Sequence, residues 1–149
     1  MMTSCMVRSA SVEPLFIDTG AFIARYDQDD QFHGQALDAW ARLTPSVSRW
    51  RLVTSGGVLA ETFTLLGRRT SFPYAARITK QIIDSPSFTL CWSDGNITSA
   101  ALSWFAKFAD QSVSWVDCES FSHMKALRIT QAFTFDRHFD DAGFSRRVG

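Results

Sequence analysis

Two apolar periods alternate along this chain. Short continuous runs, Val12 to Ile17, Arg51 to Thr54, Phe88 to Trp92, Val113 to Val116 and Ala132 to Phe135, have the length and β-branched or aromatic content of buried strands. Between them apolar positions recur at helical spacing: Phe32, Ala36, Ala39, Trp40 and Leu43, closed by Pro45; Val58, Leu59, Thr62, Phe63, Leu65 and Leu66, after Gly56 and Gly57. A third helix carries Ala75, Ile78, Ile82 and Ile83, opened by Ser71 and Pro73 and ended by Pro86. After the turn Asp94-Gly95-Asn96 comes a fourth, with Ile97, Ala100, Ala101, Trp104, Phe105 and Phe108. A helical stretch follows Asp117 to about Arg128, and Gly143 to Val148 is expected to form a short edge strand.

Strands alternating with helices imply right-handed crossovers and an α/β fold. The expectation is a three-layer α/β/α sandwich with a mostly parallel sheet of four to five strands, in one domain spanning residues 1–149. Its core runs from about 13 to 148, with residues 1–11 as a flexible tail. In such a sheet the carboxyl ends of the strands and the helix starts that follow them share one edge. Asp18, Glu61, Asp117 and Asp136 each stand where a strand-like run ends or a helical pattern begins. Glu61 lies about 120° from the centre of its helix's apolar face, at the rim. Two like charges roughly 4 Å apart at an effective dielectric near 20 repel by about 4 kcal/mol, so four convergent carboxylates require protonation or a cation.

Composition narrows the classes. With 149 residues the chain can bury a core of its own, and thirteen Phe and five Trp supply it. Cys5, Cys91 and Cys118 are odd in number and lack CxxC spacing, which argues against a disulfide framework or a zinc site and fits a reducing cytoplasm. No apolar run approaches the roughly 18 residues a membrane span needs, and the first residues lack a signal peptide's apolar core. The formal net charge is zero, so any contact with nucleic acid rests on local patches such as Arg49-Trp50-Arg51 or Arg68-Arg69.

Each acid also has a plain structural reading. Asp18 can be a solvated loop residue, Glu61 a surface residue, Asp117 the N-cap of its helix and Asp136 the cap of the turn after it. The string Asp18-Thr19-Gly20-Ala21 matches an aspartic-protease signature, but four helical patterns oppose that nearly all-β fold. Glycine at position 20 likewise opposes a haloacid-dehalogenase-type phosphatase, which carries a second Asp there. Cys118 has no histidine at a spacing that would make it a nucleophile. His123 and His138 read as solvated or partner-contacting.

The strings around the acids decide among these. Phe16-Ile-Asp-Thr-Gly-Ala-Phe22, Val53 to Glu61, Ser114-Trp-Val-Asp-Cys-Glu-Ser-Phe121 and Thr134-Phe-Asp-Arg-His-Phe139 resemble the PIN domain family, particularly the toxins of VapBC-type toxin–antitoxin pairs, from about Leu15 to Phe144. The resemblance implies that Asp18, Glu61, Asp117 and Asp136 form a catalytic acidic quartet binding Mg²⁺ or Mn²⁺. It implies a metal-dependent endoribonuclease with an RNA substrate, a cognate antitoxin and a homodimeric state. Gly20 stands where the family often has Ser or Asn, which removes a hydrogen bond near the first acid. Asp27 and His33 stand where similar toxins often carry Asp and His, and Asp140 is close enough in sequence to assist. Phe72-Pro73-Tyr74 and the Trp104-Phe105 region serve equally as core or as partner contacts.

Carboxylates are hard oxygen donors suited to such ions, and phosphodiester hydrolysis on them requires no covalent nucleophile. Two other functions compete. One is a PIN-like module that binds RNA or protein without cleaving. The other is a phosphoacceptor receiver domain, which would carry paired acids after the first strand and a lysine after the last, neither present here.

Overall fold

The structure, a computed structural model, describes residues 12–43 and 49–147. Pro45, Val148 and the expected tail at 1–11 lie outside them. Five strands, β1 (Glu13–Ile17), β2 (Trp50–Ser55), β3 (Phe88–Cys91), β4 (Gln131–Phe133) and β5 (Ser145–Arg146), form one sheet in the order β3-β2-β1-β4-β5. Every pairing is parallel. The helices are α1 (Thr19–Tyr26), α2 (His33–Ala41), α3 (Gly56–Arg69), α4 (Phe72–Asp84), α5 (Gly95–Lys107), α6 (Trp115–Ala126) and α7 (His138–Asp141).

The strand order dictates where a site can form. From β1 the chain steps one way to β2 and β3, then crosses to the other side of β1 for β4 and β5. Right-handed crossovers running in opposite directions put α1 to α4 on one face and α5 to α7 on the other. The reversal lies between β1 and β4, and at their carboxyl ends it opens the crevice in which open α/β sheets bind ligands. Asp18 follows β1 directly, and Thr134 to Asp136 follow β4.

The sheet buries Leu15, Phe16, Ile17, Val53, Ala132 and Phe133 almost completely. Phe22 packs at 5.6 Å from the Trp40 ring on one side, while Phe121 meets Phe139 at 5.0 Å on the other. Two buried polar groups tie neighbouring elements within a layer: Trp40 Nε1 of α2 donates to the Ala21 carbonyl of α1 at 3.0 Å and Thr54 Oγ1 of β2 to the Ile17 carbonyl of β1 at 2.9 Å. Among the described residues no helix is long and apolar enough to cross a membrane.

Four local expectations are corrected. Val113 to Val116 is not a strand: Ser114 caps α6 and the helix begins at Trp115. The fourth strand ends at Phe133 and not Phe135, leaving Asp136 on a bend beyond it. Asp94 is not in a free turn but is the N-cap of α5, accepting the Ile97 N–H at 2.9 Å. Helix α1 has no counterpart in the apolar pattern, because its eight residues, with Ala21 to Ala24 buried in one continuous run, are too few to mark a helical period.

Candidate active site

Asp18, Glu61, Asp117 and Asp136 line one cavity of about 370 Å³ at the carboxyl edge of the sheet. Each is delivered by a different element. Asp18 is the residue between β1 and α1, its N–H bonded to the Phe133 carbonyl at 3.1 Å, which ties it to β4. Glu61 projects from α3, and Leu65 and Arg69, one and two turns on, line the same cavity. Asp117 sits in the first turn of α6 in a capping box: Ser114 Oγ accepts the Asp117 N–H at 3.0 Å and Asp117 Oδ2 accepts the Ser114 N–H at 3.3 Å. It is therefore not the N-cap itself; Ser114 is. Asp136 does organise the turn it precedes, since its Oδ1 accepts the His138 N–H at 2.9 Å and lies 2.8 Å from His138 Nδ1.

Thr134, which sequence reasoning missed, joins two of the acids. Its hydroxyl donates to Asp18 Oδ2 at 2.7 Å and accepts the Asp136 N–H at 3.0 Å. The signal was a β-branched hydroxyl two residues before an acid at a strand end, where a side chain can turn back onto the backbone. The other oxygen of Asp18 is different. Asp18 Oδ1 is buried and has no hydrogen-bond partner.

Burial and mutual repulsion show in the proton affinities. Asp18 is pushed up to about 8, first by burial and then by the charge of Asp117, with the Thr134 hydrogen bond pulling the other way. Asp117 is pushed up to about 6 by burial and then by Asp136, opposed by its bonds to Ser114 and raised further by Glu61. Both shifts report carboxyls that are buried first and crowded by like charge second.

A divalent cation fits these residues in donor type and in need. The orphaned Asp18 oxygen is a hard ligand without a partner, and the surrounding carboxylates supply the charge. Among the described residues no three His, Cys, Asp or Glu groups are already gathered as a metal-binding cluster. Asp117 and Asp136 each have one oxygen turned to Ser114 or His138.

Other expected residues fall elsewhere. Asp27 ends α1 with its Oδ1 accepting the Asp29 N–H at 3.0 Å, and His33 Nδ1 meets the Ala24 carbonyl at 2.6 Å; both brace the α1–α2 loop. The acid of that loop which lines the cavity is Asp30. Asp140 pairs with Arg146 Nε at 2.9 Å and is not part of the lining. Cys118 is fully buried and its thiol is pushed up to about 11 by burial and by Asp117, which removes it as a nucleophile. His123 is buried against Ser93, whose hydroxyl donates to Glu119 at 2.5 Å. Burial lowers the imidazole's proton affinity.

Four carboxylates thus stand at the switch point of a five-stranded parallel sheet, and the chain belongs to the PIN domain family, whose model matches residues 15–145. Within it, the chain is 33% identical over 130 residues to the 23S rRNA-specific endonuclease VapC20 of Mycobacterium tuberculosis, covering 87% of this chain and 95% of that protein. The crystal structure of M. tuberculosis VapC20, described as a sarcin–ricin loop cleaving toxin, matches with a TM-score of 0.78 and 31% identity over 87% of this chain and 95% of its own. VapBC-1 from nontypeable Haemophilus influenzae has the same fold at 14% identity and a TM-score of 0.62, covering 90% of this chain and 96% of its own. The receiver-domain expectation falls with this assignment.

Proposed function

We propose that this protein is a metal-dependent endoribonuclease that hydrolyses phosphodiester bonds of RNA, with Asp18, Glu61, Asp117 and Asp136 as its catalytic and metal-binding acids, and that it is the toxin of a type II toxin–antitoxin pair. The observation that carries the reading is the buried, unpartnered Asp18 oxygen in a cavity whose acids already repel one another. Likeness to VapC20 over almost its whole length supports RNA as substrate, and the sarcin–ricin loop of 23S rRNA is the first candidate. A silent binding module would have no use for four acids left unneutralised at the fold's ligand crevice.

The chain's residues divide the work. Thr134 holds the Asp18 carboxylate toward the crevice and fixes the backbone of Asp136 in one contact. Ser114 holds Asp117 at the start of α6, and Glu61 faces them from α3. When bound, Mg²⁺ or Mn²⁺ would neutralise the attacked phosphodiester and lower the pKa of water. Without a cation the raised Asp18 keeps a proton near neutral pH, so one acid is spent on holding the site together. The partly exposed Asp136 and Glu61 complete the negative rim.

Partners follow from the reading. A toxin acting on the cell's own RNA needs an inhibitor, so we assign a cognate antitoxin. The exposed apolar side chains Phe72 and Ile83 of α4 and Leu102 and Phe105 of α5 suit protein contacts, including the homodimer.

Incubation of the purified protein with 23S rRNA and with total RNA, in Mn²⁺ and in EDTA, followed by mapping of new 5′ ends, tests the reading. Discrete cleavage in Mn²⁺ that disappears in EDTA and in Asp18→Asn is the expected result. Cleavage that persists in EDTA or in that variant would remove the acids from the chemistry.

A further inference from the structure

The acidic cavity has a second end with different chemistry. Among the described residues lining it, Arg69 is the sole cation, two turns along α3 from Glu61 and so about 12 Å away along the helix axis. Arg69 Nη1 lies 3.2 Å from Asp30 Oδ2 and 4.0 Å from Asp27 Oδ2, and its side chain is 48% exposed. The other oxygen of Asp30 accepts the Phe32 N–H at 2.9 Å. One carboxylate therefore positions both the guanidinium and Phe32. The Phe32 ring stacks on Phe135 at 4.4 Å and 2°, and both rings are only partly buried where they line the cavity. Phe135 lies between Thr134 and Asp136 in sequence, so the stack is built onto the acidic end itself.

We propose that Arg69 and the Phe32–Phe135 stack form a subsite for an unpaired RNA nucleotide flanking the cleaved bond. Arg69 takes its phosphate and the aromatic pair takes its base. The inference rests on the ribonuclease reading and adds to it where the strand lies. Three features select this ligand. A guanidinium matches phosphate oxygens with paired donors and reads no sequence, which suits a backbone contact. A flat aromatic pair accepts the face of any base, and only an unpaired base can reach it. The span along α3 admits successive nucleotides of one strand, with the acids at one phosphate and Arg69 at another. Asp30 occupies Arg69 in the free protein and is exchanged for phosphate when RNA enters, which keeps an otherwise acidic cavity from losing its one cation to solvent.

The test is binding of a fluorescein-labelled single-stranded RNA decamer of mixed sequence, by anisotropy over a series of salt concentrations. It is performed in the Asp117→Asn background so that the probe survives. Arg69→Ala is expected to weaken binding about tenfold and to reduce the slope of log affinity against log salt by about 0.7, the loss of one single-strand phosphate contact. Phe32→Leu and Phe135→Leu, which keep most of the apolar volume, are expected to weaken binding about fivefold with the slope unchanged. Asp30→Asn retains an oxygen for the Phe32 N–H while releasing Arg69, so it is expected to bind RNA at least as tightly as its parent. Equal damage from Arg69→Ala and Asp30→Asn would mean that the pair only braces the loop, and would overturn the subsite. So would wild-type affinity and slope in Arg69→Ala. Either result leaves the ribonuclease reading standing if the unsubstituted chain still cleaves RNA in Mn²⁺. Failure of that chain both to bind the decamer and to cleave RNA would remove the reading and the subsite together.

Discussion

The acids at the two ends of the cavity, two at one and four at the other, are in opposite states. At the Asp30 end, Asp27 and Asp30 face Arg69, and the loop's own N–H groups take a further oxygen from each. At the Asp18 end, four carboxylates converge without a basic side chain in the lining, one oxygen of Asp18 has no partner, and two of the four acids hold their protons well above the usual carboxylate range. Folding chemistry accounts for the first end, because every charge there has a neighbour of opposite sign. It does not account for the second. An end that costs the fold stability is the one to suspect of function, and the contrast gives each prediction its sign.

The contrast is broken most directly by removing a charge from the unbalanced end. Asp18→Asn is expected to lower RNA cleavage by about 10³-fold or more, about 4 kcal/mol of barrier. The same change should raise thermal stability at pH 9 and have little effect at pH 4, where the native carboxyl is already protonated. A structural aspartate would show the reverse, a loss of stability with modest loss of rate. Cleavage assays and melting curves at the two pH values separate the cases.

Adding the missing positive charge is the next largest effect. Asp18 and Asp117 hold protons more tightly in the folded chain than their ordinary 3.8, so between pH 4 and 8 the native state binds more protons and stability falls as pH rises. The penalty is absent below about pH 4; the share from Asp117 is complete near pH 6 and that from Asp18 near pH 8. Mn²⁺ at about 100 times its dissociation constant is expected to stabilise the protein by about 2.7 kcal/mol and to flatten this slope. Melting temperatures across pH 4 to 9, with Mn²⁺ and with EDTA, check both statements. A flat profile without metal would mean that neither burial nor repulsion raises the two acids in solution.

How much of this contrast could be read from the chain depends on distance in sequence. The acidic end was legible because each acid follows or begins an element whose apolar pattern is local, and a parallel sheet brings those junctions to one edge whatever the loops do. The elements around it were less so. Val113 to Val116 looks like a strand because four residues cannot distinguish a strand from the entry of a helix; the capping box that Ser114 makes with Asp117 decides it. Helix α1 is only eight residues long, about two turns, too short for its period to stand out from the strand before it. The balanced end was illegible for another reason. Arg69 and Asp30 are 39 residues apart, and nothing local in either stretch says that they meet. In the α1–α2 loop the sequence drew notice to Asp27 and His33, which brace the backbone, passed over Asp30, and read Phe32 as the start of a helix's apolar stripe, whereas Asp30 and Phe32 line the cavity.

Thr134 tests how the fold tolerates the unbalanced end. Thr134→Val keeps the shape and removes the hydroxyl that donates to Asp18 and accepts from Asp136. A loss of about 1 to 3 kcal/mol in chemical denaturation is expected above pH 8, where the Asp18 carboxylate is charged and loses its donor. Below pH 4 the loss should shrink toward that of the Asp136 contact alone. A pH-independent loss would assign Thr134 to packing.

The smallest effect is the sharpest probe of the orphaned oxygen. Gly20 occupies the first turn of α1, and a Cβ there would meet Phe135 Cδ2 at 4.0 Å, an ordinary contact. Gly20→Ala is therefore expected to stabilise the protein by about 0.5 to 1 kcal/mol through helix propensity. Serine is a poorer helix former than alanine, so on propensity alone Gly20→Ser should fall short of Gly20→Ala at every pH. A hydroxyl that reaches Asp18 Oδ1 reverses the order, and does so only where that oxygen is charged. Denaturation of both variants at pH 4 and pH 9 separates the two: Ser below Ala at pH 4 and above it at pH 9 is the outcome expected if the missing donor beside the first acid is what leaves Asp18 unsatisfied. The same order at both pH values would place the hydroxyl away from the acid and leave burial and neighbouring charge as the full cause of its raised proton affinity.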